Sequence, residues 1–107
     1  MKKEIFYTKY AIAFIETLSE EAQVKLDAIV EDLAEHGYLI APHGEKVEGH
    51  KGLFEIRTKD ASGQYRIFYV YADGDEVYLL NGFVKKTQKT PPAEIKKALK
   101  IKKEMGL

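Results

Sequence analysis

The sequence predicts an α+β fold, with an N-terminal strand and helical hairpin packed on a mainly antiparallel sheet and a helix at the C-terminus. Three observations carry this reading. Ala22, Leu26, Ile29, Val30 and Leu33 recur at helical spacing and make one apolar face. The strand-like runs Leu53–Lys59, Gln64–Ala72 and Glu76–Val84 are separated by Asp60-Ala61-Ser62-Gly63 and by Asp73-Gly74-Asp75, both strong turn sequences. At 107 residues the chain can bury one hydrophobic core and not two, so residues 1–107 are read as a single domain.

Taken in order, residues 3–7 (Lys-Glu-Ile-Phe-Tyr) read as a first strand rich in aromatic and β-branched side chains. Tyr10 to Leu18 follows as a short amphipathic helix with Ile12, Phe14, Ile15 and Leu18 on its apolar side. Ser19 is a good N-cap for the second helix, Glu20 and Glu21 complement its dipole, and Gly37 suits its C-terminal end. Residues 38–52, with Pro42, Gly44, Gly49 and Gly52, read as a connecting loop. The meander comes next, with the helices expected on one of its faces. Thr90 can cap the last helix with Pro91 at its first position; Ile95, Ala98 and Leu99 mark its apolar side.

Composition excludes several classes of function. A hydrophobic fraction of 45% with 11% aromatics fits a folded globular chain. No run approaches the ~20 apolar residues that span a bilayer, and the N-terminus is too interrupted for a signal peptide, so a cytoplasmic protein without membrane partners is the simplest reading. There is no cysteine, which removes disulfides, thiolate metal sites and Cys nucleophiles. The net charge of zero hides an asymmetry: residues 1–50 carry 5 Lys against 10 Asp or Glu, and residues 51–107 carry 12 Lys or Arg against 7. A basic half of this kind can offer a cationic face to a polyanion whatever the sum.

That basic half centres on Leu80 to Pro91, an apolar strand end that leaves through Gly82-Phe83 into Lys85, Lys86 and Lys89. Clustered cations before a helix start can hold phosphates; equally, they can simply solubilise a loop. Strand alternation places Phe54, Ile56 and Thr58 on one face and Glu55, Arg57 and Lys59 on the other, and sets Arg66 among Phe68 and Val70. Arg57, Lys59 and Arg66 therefore share a face. A charge inside an apolar strand needs a partner, so Arg66 either takes a polyanion or pairs with Glu55 on the neighbouring strand. The histidines His36, His43 and His50 have no metal-ligand spacing and read as surface residues. No phosphate loop, nucleophile elbow or carboxylate cluster is present.

Taken together, Gly52-Leu53-Phe54-Glu55-Ile56-Arg57, Gln64-Tyr65-Arg66-Ile67-Phe68-Tyr69 and Leu80-Asn81-Gly82-Phe83-Val84-Lys85-Lys86-Thr87-Gln88-Lys89-Thr90-Pro91 resemble the phage-derived branch of the RelE/HigB toxin superfamily. Asp32-Leu33-Ala34-Glu35-His36-Gly37 resembles it too, and the likeness covers nearly the whole chain. It implies a RelE-like fold and the toxin of a type II toxin–antitoxin pair. Such toxins typically cleave mRNA on the ribosome without a metal or other cofactor, and are silenced by an antitoxin, commonly a helix-turn-helix protein. By the same resemblance Arg57, Arg66 and Lys86 are the expected catalytic residues, and Lys59, Phe83, Lys85 and Lys89 the expected RNA contacts. Phe83 can stack on an unpaired base or pack in the core. The chain departs from the pattern at Asn81, where relatives often carry a histidine, and no general acid or base is obvious unless Glu55, His50 or a lysine serves. The expectation of RNA grip survives that departure; a cleaving toxin and a non-cleaving RNA- or ribosome-binding inhibitor both remain open, as does a partner-binding domain of the same fold.

Overall fold

The computed structural model describes residues 2–107. Its elements are β1 (Glu4–Tyr7), α1 (Lys9–Ile15), α2 (Glu20–His36), β2 (Gly44–Lys46), β3 (Phe54–Asp60), β4 (Gly63–Tyr71), β5 (Glu76–Lys85) and α3 (Pro92–Glu104). The strands form one sheet in the order β1-β5-β4-β3-β2. β1 runs parallel to β5, and every other neighbouring pair is antiparallel. The three predicted strands of the meander are all present. The loop expected over residues 38–52 additionally contributes β2, three residues long and paired with Phe54–Ile56.

Local chemistry fixes where the helices begin. The Thr8 hydroxyl accepts from the Ala11 amide and donates to the Leu80 carbonyl at 3.0 Å, so the cap of α1 also ties it to β5. Ser19 caps α2 by accepting from the Ala22 amide, and Gly37 at φ 85° ends that helix with its N–H on the Leu33 carbonyl. The start of α3 differs from the expectation. Pro91 stands at the cap position without a side-chain bond, Pro92 follows it, and the Thr90 hydroxyl turns instead to Glu55.

Helices cover both faces of the sheet rather than one. Ala22, Leu26, Ile29, Val30 and Leu33 of α2 pack with Ala11 of α1 on Ile56, Ile67, Tyr69, Val77 and Leu79. Across the sheet, Ala98 and Ile101 of α3 pack on Phe68, Val70, Leu80 and Phe83. Burial of each large apolar side chain contributes roughly 1.5–3 kcal/mol, so both layers hold the sheet. The sequence shows why α3 needs its own face: its apolar residues are few and its remaining surface is lysine-rich. Two details of the helices differ from their predicted apolar sides. Ile12 is exposed while Ala11 fills the core, and Leu99 lies at the surface while Ile101 is buried.

An irregularity in β5 sets the far end of the sheet. Ile67 pairs with Gly82 and Tyr69 with Leu79, so Leu80 and Asn81 both stand opposite Phe68 alone. The bulge turns Leu80 into the α3 layer together with Asn81, whose side-chain amide donates to the Glu94 carbonyl at 3.2 Å. The strand then continues through Gly82 and Phe83 to Lys85, one residue beyond the predicted end at Val84. Gly82 is required by α1, because a Cβ there would collide with the Phe14 ring.

Candidate functional site

The turn between β3 and β4 sets the site's register. The Asp60 carboxylate accepts from the Ser62 and Gly63 amides at 2.8 and 3.0 Å, from the Tyr65 hydroxyl at 2.9 Å and from the Ser19 hydroxyl at 2.6 Å. The Ser19 bond, foremost, and the others hold its pKa below the ordinary carboxylate value. With that turn pinned, Arg57 pairs with Arg66 and Arg66 with Phe83, while Lys59 pairs with Gln64 and Gln64 with Lys85. Two rows of side chains thus cross three strands on the α3 side of the sheet.

Directly opposed like charges repel, and Glu55 is what offsets the repulsion. It is 2% exposed. Its Oε1 accepts from Arg57 Nε at 3.0 Å and lies 2.9 Å from a terminal nitrogen of the same guanidinium. Arg66 Nε is 3.9 Å from that oxygen, and Oε2 accepts from the Thr90 hydroxyl at 3.3 Å. A second carboxylate, Glu45 on β2, also grips the Arg57 terminal nitrogen. Glu55 is therefore chiefly the partner of Arg57 on its own strand, not of Arg66 across the ladder.

Arg66 is left short of counter-charge. It is 7% exposed, and its terminal nitrogens donate to the Tyr65 carbonyl and the Gln64 side chain, each at 3.1 Å. Its Nε is buried without a hydrogen-bond partner. Burial above all, then the neighbouring Arg57 charge, lowers its pKa, with Glu55 and Glu45 opposing. A guanidinium stays protonated regardless, so the shift registers an unsatisfied cation in a low-dielectric setting. An anion in the cleft that Arg66 lines would supply the counter-charge it lacks.

Arg57 and Arg66 line an open cleft of about 720 Å³. Its wall also includes Lys59, Pro42, His43 and, from α2, Lys25 and the acidic Asp32. Of the residues predicted from sequence, Arg57, Arg66 and Lys59 are brought together here, and Lys85 extends the second row. Lys86 and Lys89 lie on the exposed loop between β5 and α3, the loop that Thr90 anchors to Glu55. Phe83 is in the core: it is 6% exposed and stacked on Phe68 with ring centroids 5.5 Å apart, which leaves no face for a base. Asn81 is buried under the first turn of α3. Among the described residues no three of His, Asp and Glu come together as a metal ion needs.

Sequence reasoning missed Glu45, Lys25 and His43. Lys25 sits on an outward helical position and spends its ammonium on the Lys59 carbonyl and Glu21, so only the packing of α2 beside β3 brings it to the cleft. Glu45 and His43 belong to a segment whose three-residue strand is too short to show a period of two.

Known proteins share this fold. Residues 13–103 match the family described as phage derived protein Gp49-like. The chain belongs to that Gp49-like family. Two solved structures share its fold. One is E. coli toxin RelE, a double mutant in the free state, at 18% identity and a TM-score of 0.70, with 94% of this chain and 97% of that one covered. The other is a chain of the intact E. coli RelBE toxin–antitoxin complex, at 16% identity and a TM-score of 0.61, covering 81% of this chain and 100% of that one. No curated protein matches significantly. The Gp49-like chain is thus a RelE-fold protein, and among its described residues no helix is long and apolar enough to cross a membrane.

Proposed function

We propose that this Gp49-like protein is the toxin of a type II toxin–antitoxin pair, a metal-independent mRNA endonuclease that works on the ribosome in the cytoplasm and inhibits translation. The observation that carries the reading is the Arg57–Arg66 pair, two directly opposed guanidiniums that line one open cleft. The RelE fold supports it, as does a similar chain that comes from a toxin–antitoxin complex. A cognate antitoxin, of helix-turn-helix type, is the expected partner, alongside mRNA and the ribosome.

In this reading Arg57 and Arg66 clamp the scissile phosphate. A ribose 2′-hydroxyl gives its proton to water and attacks the phosphorus, the bond to the 5′-oxygen of the next nucleotide breaks and that oxygen takes a proton from water, and a 2′,3′-cyclic phosphate remains. Such a step needs in-line placement and stabilisation of the extra negative charge more than covalent help. Lys86 supplies charge beside the clamp, while Lys59, Lys85 and Lys89 hold flanking phosphates. Phe83, the cross-strand neighbour of Arg66, serves by packing on Phe68 rather than by stacking on a base.

A second reading is a growth inhibitor of the same fold that grips RNA without cutting it. One observation favours it: Glu55, the carboxylate beside both arginines, is 2% exposed and engaged by Arg57 and Thr90, away from any proton a bound substrate would give up. Inducible expression in a bacterium, beside an Arg66→Ala copy at equal soluble levels, tests the primary reading. Growth arrest by the unaltered chain alone, with new mRNA 5′ ends, is the expected result. Arrest without new 5′ ends selects the second reading, and normal growth of both cultures overturns the toxin assignment.

A further inference from the structure

The two carboxylates on Arg57 are not equivalent. Glu55 is enclosed, its side chain 3% exposed, and it is bonded from two sides by Arg57 and Thr90. Glu45 has a side chain 51% exposed, stands on an edge strand of three residues, and has Arg57 as its ion-pair partner. Swinging Glu45 into water costs one half-exposed ion pair and no packing, because nothing in either apolar cluster depends on it. Removing Glu55 would leave Arg57 with Glu45 alone and take away the carboxylate nearest Arg66. Arg57 thus has one permanent partner and one removable one.

Arg57 and Arg66 against Glu45 and Glu55 make a neutral set with Glu45 in place. Withdrawal of Glu45 uncovers one positive charge and a fork of N–H donors at the cleft, on an arginine side chain that is 31% exposed. One phosphodiester supplies one negative charge and two acceptor oxygens, which is what the departing carboxylate removes.

We infer that Glu45 is an internal competitor for the phosphate subsite: its carboxylate occupies the Arg57 fork at rest, and a substrate phosphate binds by displacing it. This rests on the reading that Arg57 takes a phosphate, and it adds a specificity-determining residue to that site. Exchange of one anion for another releases no net counterion at this position. Affinity in the unaltered protein then comes from phosphates that also reach Lys59, Lys85 and the loop lysines, and an isolated anion competes poorly. The site selects an extended chain of phosphates over a single one.

Two probes test the exchange. The first is inorganic pyrophosphate, titrated while the Arg57 Nε–H resonance is followed by NMR. The second is a labelled, uncleavable 2′-O-methyl oligoribonucleotide, bound across a salt series and read by fluorescence anisotropy. Glu45→Gln is compared with the unaltered protein, and Glu45→Ala guards against a glutamine that keeps the hydrogen bond. Both variants should bind both probes about fivefold tighter, the upper range for losing a competing exposed ion pair. The salt dependence of oligonucleotide binding should steepen by about 0.7 in log–log slope, one more phosphate neutralised by an uncovered cation. A purely structural Glu45 would not change that slope. Pyrophosphate bound no more tightly by either variant, or bound without shifting Arg57, overturns the inference. Tighter pyrophosphate binding with no oligonucleotide binding by any form leaves the exchange standing and removes the RNA reading instead.

Discussion

Arg57 and Arg66 face each other directly across β3 and β4, and neither bonds to the other. What permits two guanidiniums in this position is a carboxylate two positions along β3. Glu55 lies opposite Phe68, with its Oε1 turned toward both cations at 2.9 and 3.9 Å. Those unequal distances leave Arg57 satisfied and Arg66 not.

Glu55 should accordingly be the most costly polar side chain at the site to lose. Glu55→Ala leaves Arg57 with Glu45 alone, takes the nearest carboxylate from Arg66 and frees the Thr90 hydroxyl, and removal of one member of a buried pair costs about 3–5 kcal/mol. Urea unfolding of Glu55→Ala should show a lower midpoint at unchanged m. A midpoint like that of the unaltered protein would mean the arginines do not need it.

The β3–β4 turn should weaken in acid. The folded-state pKa of Asp60 lies below its unfolded value, so its contribution is present above the usual carboxylate pKa and is lost as pH falls through the folded one. Ser19→Ala removes the largest cause of the shift and also the cap of α2. Asp60→Asn isolates the titration. Between pH about 7 and about 3, the fall in urea midpoint should be smaller for Asp60→Asn than for the unaltered chain.

Gly82→Ala should destabilise the fold by about 1–3 kcal/mol, the range for overpacking a filled core. The clash is with the Phe14 ring, which an alanine Cβ would overlap. Phe14→Leu combined with Gly82→Ala should cost less than the two single changes summed, measured as a double-mutant cycle. Additivity would place the strain elsewhere.

The loop lysines should act through charge alone. Lys85→Ala/Lys86→Ala should weaken oligonucleotide binding and flatten its salt dependence by ~0.7 in slope for each phosphate no longer neutralised. Thermal stability should change little, because Lys86 is exposed and Lys85 is partly so. An unchanged slope would assign these lysines to the solvated surface.

The second helix, the meander and its turns were legible because each is written in a local pattern. Apolar residues recur every three or four positions in α2, and Asp60 and Gly63 punctuate the β3–β4 turn. The alternation that put Arg57, Lys59 and Arg66 on one face held for the same reason: side-chain direction along a strand depends only on parity. Parity failed at Leu80-Asn81, where a bulge shifts the register and nothing in the local pattern announces it. Thr90 reads as a helix cap because short-range rules see only its own neighbours; a buried carboxylate 35 positions earlier claimed its hydroxyl instead.

By itself, then, the sequence determined every element except β2, the sharing of one face by the cations, and the acidic and basic halves. Tertiary structure decided which carboxylate serves which arginine, that Glu45 is one of them, that Phe83 lies inward, and that Lys25 and His43 border the cleft. The division has a physical cause. Periodicity encodes the direction of a side chain relative to its own backbone, whereas ion pairing and burial depend on what other segments bring to the same place. Here those segments are β2, α2 and the loop before α3, and none of them is near Arg57 in the chain.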